Sequence, residues 1–150
     1  MLTWSELLRG EAAGLALAGQ RLFAEHRLAY LATARKDGRP RLHPVTPVAT
    51  ASGLFVAVNE QSPKRWDLSR DGRYALHAPL GEQDEEFVIT GVARRVLADQ
   101  VRAQIVQAAG HKIHDADWLF EFLVGYCLHG HWVNVGQPDT YPVRRQWRAD

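Results

Sequence analysis

The sequence predicts a mainly β domain with a few helices, folded as a closed or nearly closed barrel of six or seven strands. Three observations lead there. Short apolar runs recur from Leu28 onward, and turn signals such as Asp37-Gly38, Ser52-Gly53, Asp71-Gly72 and Gly136-Gln137-Pro138-Asp139 separate them. Convincing helical stretches are few, and most connections between the runs are short. The chain has 150 residues, 46% hydrophobic and 23% charged, with mean hydropathy −0.28, which suits one domain with a real core. Residues 1–150 are therefore expected to form a single domain, a helical segment 3–26 followed by a barrel 28–148.

Thr3 and Glu6 make the capping-box pattern, so a helix is expected to begin at Trp4. Alanines and leucines continue at helical spacing from Ala12 to Glu25, interrupted by Gly14 and Gly19, which suggests two helical pieces or one imperfect helix. Leu28–Ala34 reads as a strand, Lys36-Asp37-Gly38-Arg39 as a hairpin turn, and Pro40–Ala49 as the returning strand. Pro44 and Pro47 each lack an N–H, so that strand belongs at an edge or bulge. Leu54–Val58 is a third strand, and Tyr74–Ala78 a fourth. Glu86–Val96 is a long fifth strand with a bulge or close approach at Gly91, followed by a helix Asp99–Ala109. Trp118–His131 and Tyr141–Trp147 complete the set.

Composition also bounds function. A net charge of +1 argues against nucleic-acid binding by bulk electrostatics. The single cysteine, Cys127, excludes an internal disulfide and fits a reducing compartment. No apolar run is long enough to span a bilayer and no secretory leader is evident, so no membrane partner and a cytoplasmic location are expected.

The most informative stretch is Asn59–Leu68. Ser62-Pro63 reads as an N-cap followed by proline at the first helical position. Lys64 and Arg65 then place two cations where the helix dipole favours acids. An anion, most simply a phosphate, would reconcile them with the Ser62 hydroxyl and the free amides. The competing reading is an exposed turn whose cations point into water.

Other constellations are weaker. Cys127, His129 and His131 share one face if their segment is a strand, spaced about 6.6 to 6.8 Å apart, and His111 or His114 offers a fourth ligand; the bland reading is polar residues at a strand end, and no metal site is assigned. His43 and His77 fall on strands, where histidine more often forms a hydrogen-bonded wall than a base. Asp84, Glu85 and Glu86 form an acidic loop, and no nucleophile elbow, Walker loop or dinucleotide fingerprint is present. The pattern favours a chain that borrows its reactive centre from a cofactor.

Five motifs in order carry a resemblance: Leu31-Ala32-Thr33 with Asp37-Gly38-Arg39-Pro40, the strand Pro40–Val48, Ser62-Pro63-Lys64-Arg65 before Leu68, Arg73-Tyr74-Ala75-Leu76, and Gly91-Val92-Ala93. Together they resemble the pyridoxamine 5′-phosphate oxidase-like family of flavin-binding split β-barrels. The resemblance implies a homodimer with two flavin mononucleotide (FMN) sites at its interface. By position, Arg41, Leu42, His43, Pro44 and Val45 would line the isoalloxazine ring, largely through backbone groups. Val58 and Asn59 would flank the ribityl chain, and Ser62, Lys64 and Arg65 would hold the phosphate. Trp132 of the other subunit would close the site, with Arg144 or Arg145 as lesser candidates. The Arg-x-His-x-Arg signature of true pyridoxamine phosphate oxidases is absent from Pro142–Arg148, so vitamin B6 oxidation is not expected. The implied function is hydride transfer between reduced FMN and a small unsaturated molecule, with His43 as a proton donor. A non-catalytic flavin or deazaflavin carrier, and a haem or metal protein using Cys127, His129 or His131, are the alternatives.

Overall fold

Thr46 joins the two edges of a single antiparallel sheet. In the computed structural model, which describes residues 1–150, the strands are β1 (Ala29–Ala34), β2 (Pro40–Val45), β3 (Pro47–Ala49), β4 (Leu54–Val58), β5 (Arg73–His77), β6 (Glu86–Arg95), β7 (Trp118–Val133) and β8 (Tyr141–Arg148). Their order is β2-β1-β5-β6-β7-β4-β3, with β8 added on β7. The expected count of six or seven becomes eight, because the Pro40–Ala49 strand breaks at Thr46: β2 pairs with β1, and β3 pairs with β4. The sheet is also not closed by hydrogen bonds. Pro44 and Pro47 flank the break and have no donors to give a ladder, so the chain connects the two edges covalently instead.

β7 creates a second division. One side of it pairs with β6 along most of its length. On the other side, Trp118–Glu121 pair with β4, while Tyr126–Val133 pair with β8. β6 bends into this strand through a register shift at Thr90/Gly91, as the glycine suggested. A Cβ at Gly91 would lie 1.9 Å from the Leu123 carbonyl oxygen, so only glycine permits this approach.

Two N-terminal helices, α1 (Trp4–Arg9) and α2 (Ala13–His26), pack against β6 and β7. The Thr3/Glu6 capping box forms as expected. Trp4, Phe23 and Phe87 meet with centroids 5.6 to 6.4 Å apart, in tilted and edge-to-face arrangements. Fully burying each such ring stabilises the fold by about 1.5–3 kcal/mol. Gly19 stays in α2 despite its low helix propensity because a Cβ there would lie 2.1 Å from the Phe87 ring. A smaller core of Val48, Phe55, Ile105, Ile113 and Leu119 lies under α4 (Asp99–Ala108). No helix is long and apolar enough to cross a membrane.

The remaining helix, α3 (Lys64–Arg70), follows β4 and lies beside β1. Register places Arg41, His43 and Val45 opposite Thr33, Leu31 and Ala29, on the face toward the core. Leu42 and Pro44 therefore lie on the outer face with Ala32 and Tyr30, and Leu42 is 64% exposed.

Candidate cofactor site

The candidate site forms where β2 passes α3, and a buried carboxylate organises it. Asp67, in the first turn of α3, is only 4% exposed. It accepts hydrogen bonds from Thr33 Oγ1 at 3.0 Å and Arg41 Nε at 2.7 Å. Arg70 lies 3.6 Å away on its second oxygen and also donates to the Ala34 carbonyl. A carboxylate so satisfied fixes the Arg41 guanidinium and ties α3 to β1 and β2. Sequence reading missed Asp67, Thr33 and Arg70, since nothing local marks residues 26 to 36 positions apart as partners.

Around this anchor, positive charge exceeds what Asp67 balances. Burial, and then the Arg41 charge, push the Lys64 ammonium below its ordinary range. His43 is likewise pushed down, first by burial and then by Lys64, Arg41 and Arg35, with Asp67 opposing. Three buried side-chain nitrogens in the chain have no hydrogen-bond partner: His43 Nδ1, Arg35 Nε and Arg65 Nε. All three belong to β2, to the residue that follows β1, or to α3. Buried polar groups are normally satisfied, and of the three only His43 Nδ1 belongs to a residue whose charge neighbours are Lys64 and Arg41.

The start of α3 differs from expectation. Pro63, not Ser62, holds the N-cap position, in helical conformation, and no side chain caps the helix. Its ring already fixes the helical angle, so the turn starts one residue later than the Ser-Pro pattern suggested. Ser62 instead gives its N–H to the Asn59 carbonyl, and its hydroxyl has no partner within the chain. With seven residues, α3 has a weak dipole, and the side chains are the main source of positive potential here.

The other nominated residues divide. Arg41, His43 and Lys64 converge. Arg65 lies elsewhere: its guanidinium sits 4.5 Å from the Trp66 ring centroid and 5.1 Å from that of Trp118, while Arg95 covers Trp118 at 3.5 Å. The Val58 side chain is fully buried, leaving only its backbone to a ligand. Asn59 Oδ1 accepts from the Gln61 N–H, and its amide donates to Asp117 at 3.4 Å. Trp132 lies opposite Pro142 on the part of β7 that runs beyond β6. In sheet order β7 is four strands from β2 by way of β1, β5 and β6, and two from β3 by way of β4. Arg144 donates to Glu86, and Arg145 pairs across from His129.

Cys127, His129 and His131 do share a face of β7, but each is otherwise engaged or apart. Cys127 is buried in the main core, which pushes its thiol up to about 12. His129 Nε2 donates to Glu85 Oε1 at 2.7 Å, and Arg21 binds the same oxygen at 2.5 Å. The His129 and His131 rings are 6.1 Å apart, and no three His, Cys, Asp or Glu side chains converge as a metal-ligand set.

Comparisons with known proteins agree with this architecture. No curated protein sequence matches the chain. Among solved structures, a NimC/NimA family protein from Clostridium acetobutylicum superposes with TM-score 0.63 at 16% identity, covering 85% of this chain and 91% of that one. PhzG from Burkholderia lata, solved with tetrahydrophenazine-1-carboxylic acid, gives 0.56 at 14% identity, with 89% of each chain covered. A heme binding protein from Mycobacterium smegmatis gives 0.59 at 21% identity; 81% of this chain is covered, but the chain spans only 55% of that protein's length. These likenesses show a shared fold. The family model of pyridoxamine 5′-phosphate oxidase matches residues 18–124, the stretch that contains β1 to β6, α3 and the Asp67 anchor, and the chain belongs to that family.

Proposed function

We propose that the chain is an FMN-dependent oxidoreductase that acts on a small unsaturated molecule. One observation carries this reading. Arg41, His43 and Lys64 converge beside a single buried carboxylate, with the partnerless His43 Nδ1 among them. The residues present fit a phosphorylated, hydrogen-bond-accepting cofactor: Arg41 and Lys64, with the Ser62 hydroxyl, would hold the phosphate. The Arg41–Val45 backbone would line the ring. When bound, FMN supplies hydride transfer. Asp67 orients Arg41, β2 supplies the wall, and His43, held toward its neutral form, is placed to exchange a proton at Nδ1.

The site is proposed to be completed by a second copy of the chain. The outer sheet face carries Tyr30, Ala32, Leu42, Pro44, Ala75 and Val88, none of them buried, and an isologous dimer would cover it. In such a dimer Trp132 of one copy would close the site of the other.

Titration of the purified chain with FMN, followed by absorbance and by oligomeric state, tests the proposal. Failure to bind flavin at micromolar concentration overturns it. A deazaflavin in the same pocket, or a carrier role, would show as deazaflavin preference or as reoxidation of bound reduced flavin without acceptor preference. Haem is a second reading, supported by the likeness to the Mycobacterium smegmatis protein. Haem uptake that survives paired His129→Ala and His131→Ala substitutions would exclude those histidines as its ligands.

A further inference from the structure

Beside the proposed phosphate site, a groove of about 730 Å³ runs between the base of the β1–β2 hairpin and the flank of α3. Arg35, Lys36, Arg41 and Arg70 line it, together with Trp66 and two carboxylates, Asp37 and Asp67. Both carboxylates are already engaged, Asp37 by Arg39 and Asp67 by Arg41 and Arg70. Arg35 and Lys36 therefore leave uncompensated charge in the groove. Trp66 is 54% exposed, whereas the other four tryptophans are buried or half-buried. It is nevertheless held in place: the Arg65 guanidinium covers its ring at 4.5 Å, and Trp118 meets it edge-on at 5.1 Å. A braced aromatic wall with free cations opposite is the chemistry that recognises a base bearing a phosphate.

We propose that this groove binds an adenosine monophosphate group, with the adenine stacked on Trp66 and the phosphate between Arg35 and Lys36. Arg41 belongs to both the groove and the cofactor site, so one ligand can occupy the two. The distal half of a flavin dinucleotide is then one source of the group and a free adenine nucleotide the other. The dinucleotide source rests on the flavin reading above, whereas the groove itself does not.

Calorimetric titration of the intact chain with AMP tests the groove directly. AMP should bind at one site per chain, ribose 5-phosphate at least tenfold more weakly, and Trp66→Ala should abolish AMP binding while Trp66→Phe largely restores it. Lys36→Ala should weaken AMP several-fold. Where a flavin dinucleotide is the source, FAD should bind at least tenfold more tightly than FMN, an advantage lost in Trp66→Ala with FMN affinity unchanged. AMP that binds undiminished to the FAD-saturated chain overturns the dinucleotide source and leaves the free nucleotide. Absent AMP binding, or AMP binding that is unaltered by Trp66→Ala, overturns the groove. Trp66-dependent AMP binding in a chain that takes up no flavin supports the groove and removes the flavin reading instead.

Discussion

Two polar clusters in this chain have similar ingredients and opposite balances. On β7, His129 meets Glu85, which also receives Arg21, itself paired with Glu25 at 3.0 Å. Burial pushes the Glu85 carboxyl up, but the hydrogen bonds from Arg21 and His129 outweigh it and hold the group below its ordinary value. Each charge there has an opposite neighbour. Beside α3, Arg41, Lys64 and His43 surround the single carboxylate Asp67, and His43 and Lys64 are pushed toward their neutral forms. The first cluster is complete within the chain and reads as structural. The second leaves positive charge in excess of its one carboxylate, and the anion we propose for it would supply the balance that the first cluster finds within the chain.

The largest effect that would sharpen this contrast lies at its buried anchor. Asp67→Ala leaves Arg41 and Thr33 without their shared acceptor and should destabilise the fold by about 3 kcal/mol, the lower end for a broken buried pair because Arg41 keeps some contact with water. Thermal unfolding should shift down by ~6–12 °C. A shift below ~2 °C would mean that Asp67 does not organise the site. Next, Lys64→Ala should weaken FMN binding by about 1.5–3 kcal/mol while leaving riboflavin, which lacks the phosphate, nearly unaffected. Equal losses for the two ligands would move the phosphate away from Lys64.

The matched perturbation of the complete cluster should be smaller. Glu85→Gln should cost about 1 kcal/mol of stability and leave FMN affinity unchanged, as measured by denaturant titration and flavin binding. A large loss of flavin affinity would show that the two clusters are not independent. The smallest expected effect is on pH. An anion restores the protonated forms of Lys64 and His43, so FMN should bind with net proton uptake, and its advantage over riboflavin should decline as pH rises through their lowered values. Calorimetry in buffers of different ionisation enthalpy measures that uptake. For the free chain the sign differs. His43 titrates lower in the folded than in the unfolded state, so its contribution is favourable at high pH and stability decreases as pH falls below ~6.5.

Much of this architecture was legible in the residues. Asp37-Gly38 marked the hairpin, with Gly38 at φ 83°, and the capping box and the Gly91 irregularity both occur where local patterns placed them, while α3 starts one residue later than Ser62-Pro63 suggested. Lys64, Arg41 and His43 were nominated as cofactor-site residues through the family-like order of motifs, not by spacing, and in the fold they lie close enough for their charges to act on one another. Arg65 was nominated with them because it adjoins Lys64 in sequence, but successive residues on a helix point about 100° apart, and it stacks on Trp66 and Trp118. A closed or nearly closed barrel was expected because short turns join its strands, yet short turns fix only which neighbours pair. They leave open whether the outermost edges meet.

By itself, then, the sequence determined most of the elements and the cations at the start of α3, because period, turn chemistry and caps act over a few residues. Only the tertiary structure decided that Pro40–Ala49 divides between two sheet edges and that Asp67 sits beneath Arg41. It also decided that His129 is satisfied while His43 is not. Those outcomes depend on which distant segments share a strand pair, and on which charges burial then leaves without a partner.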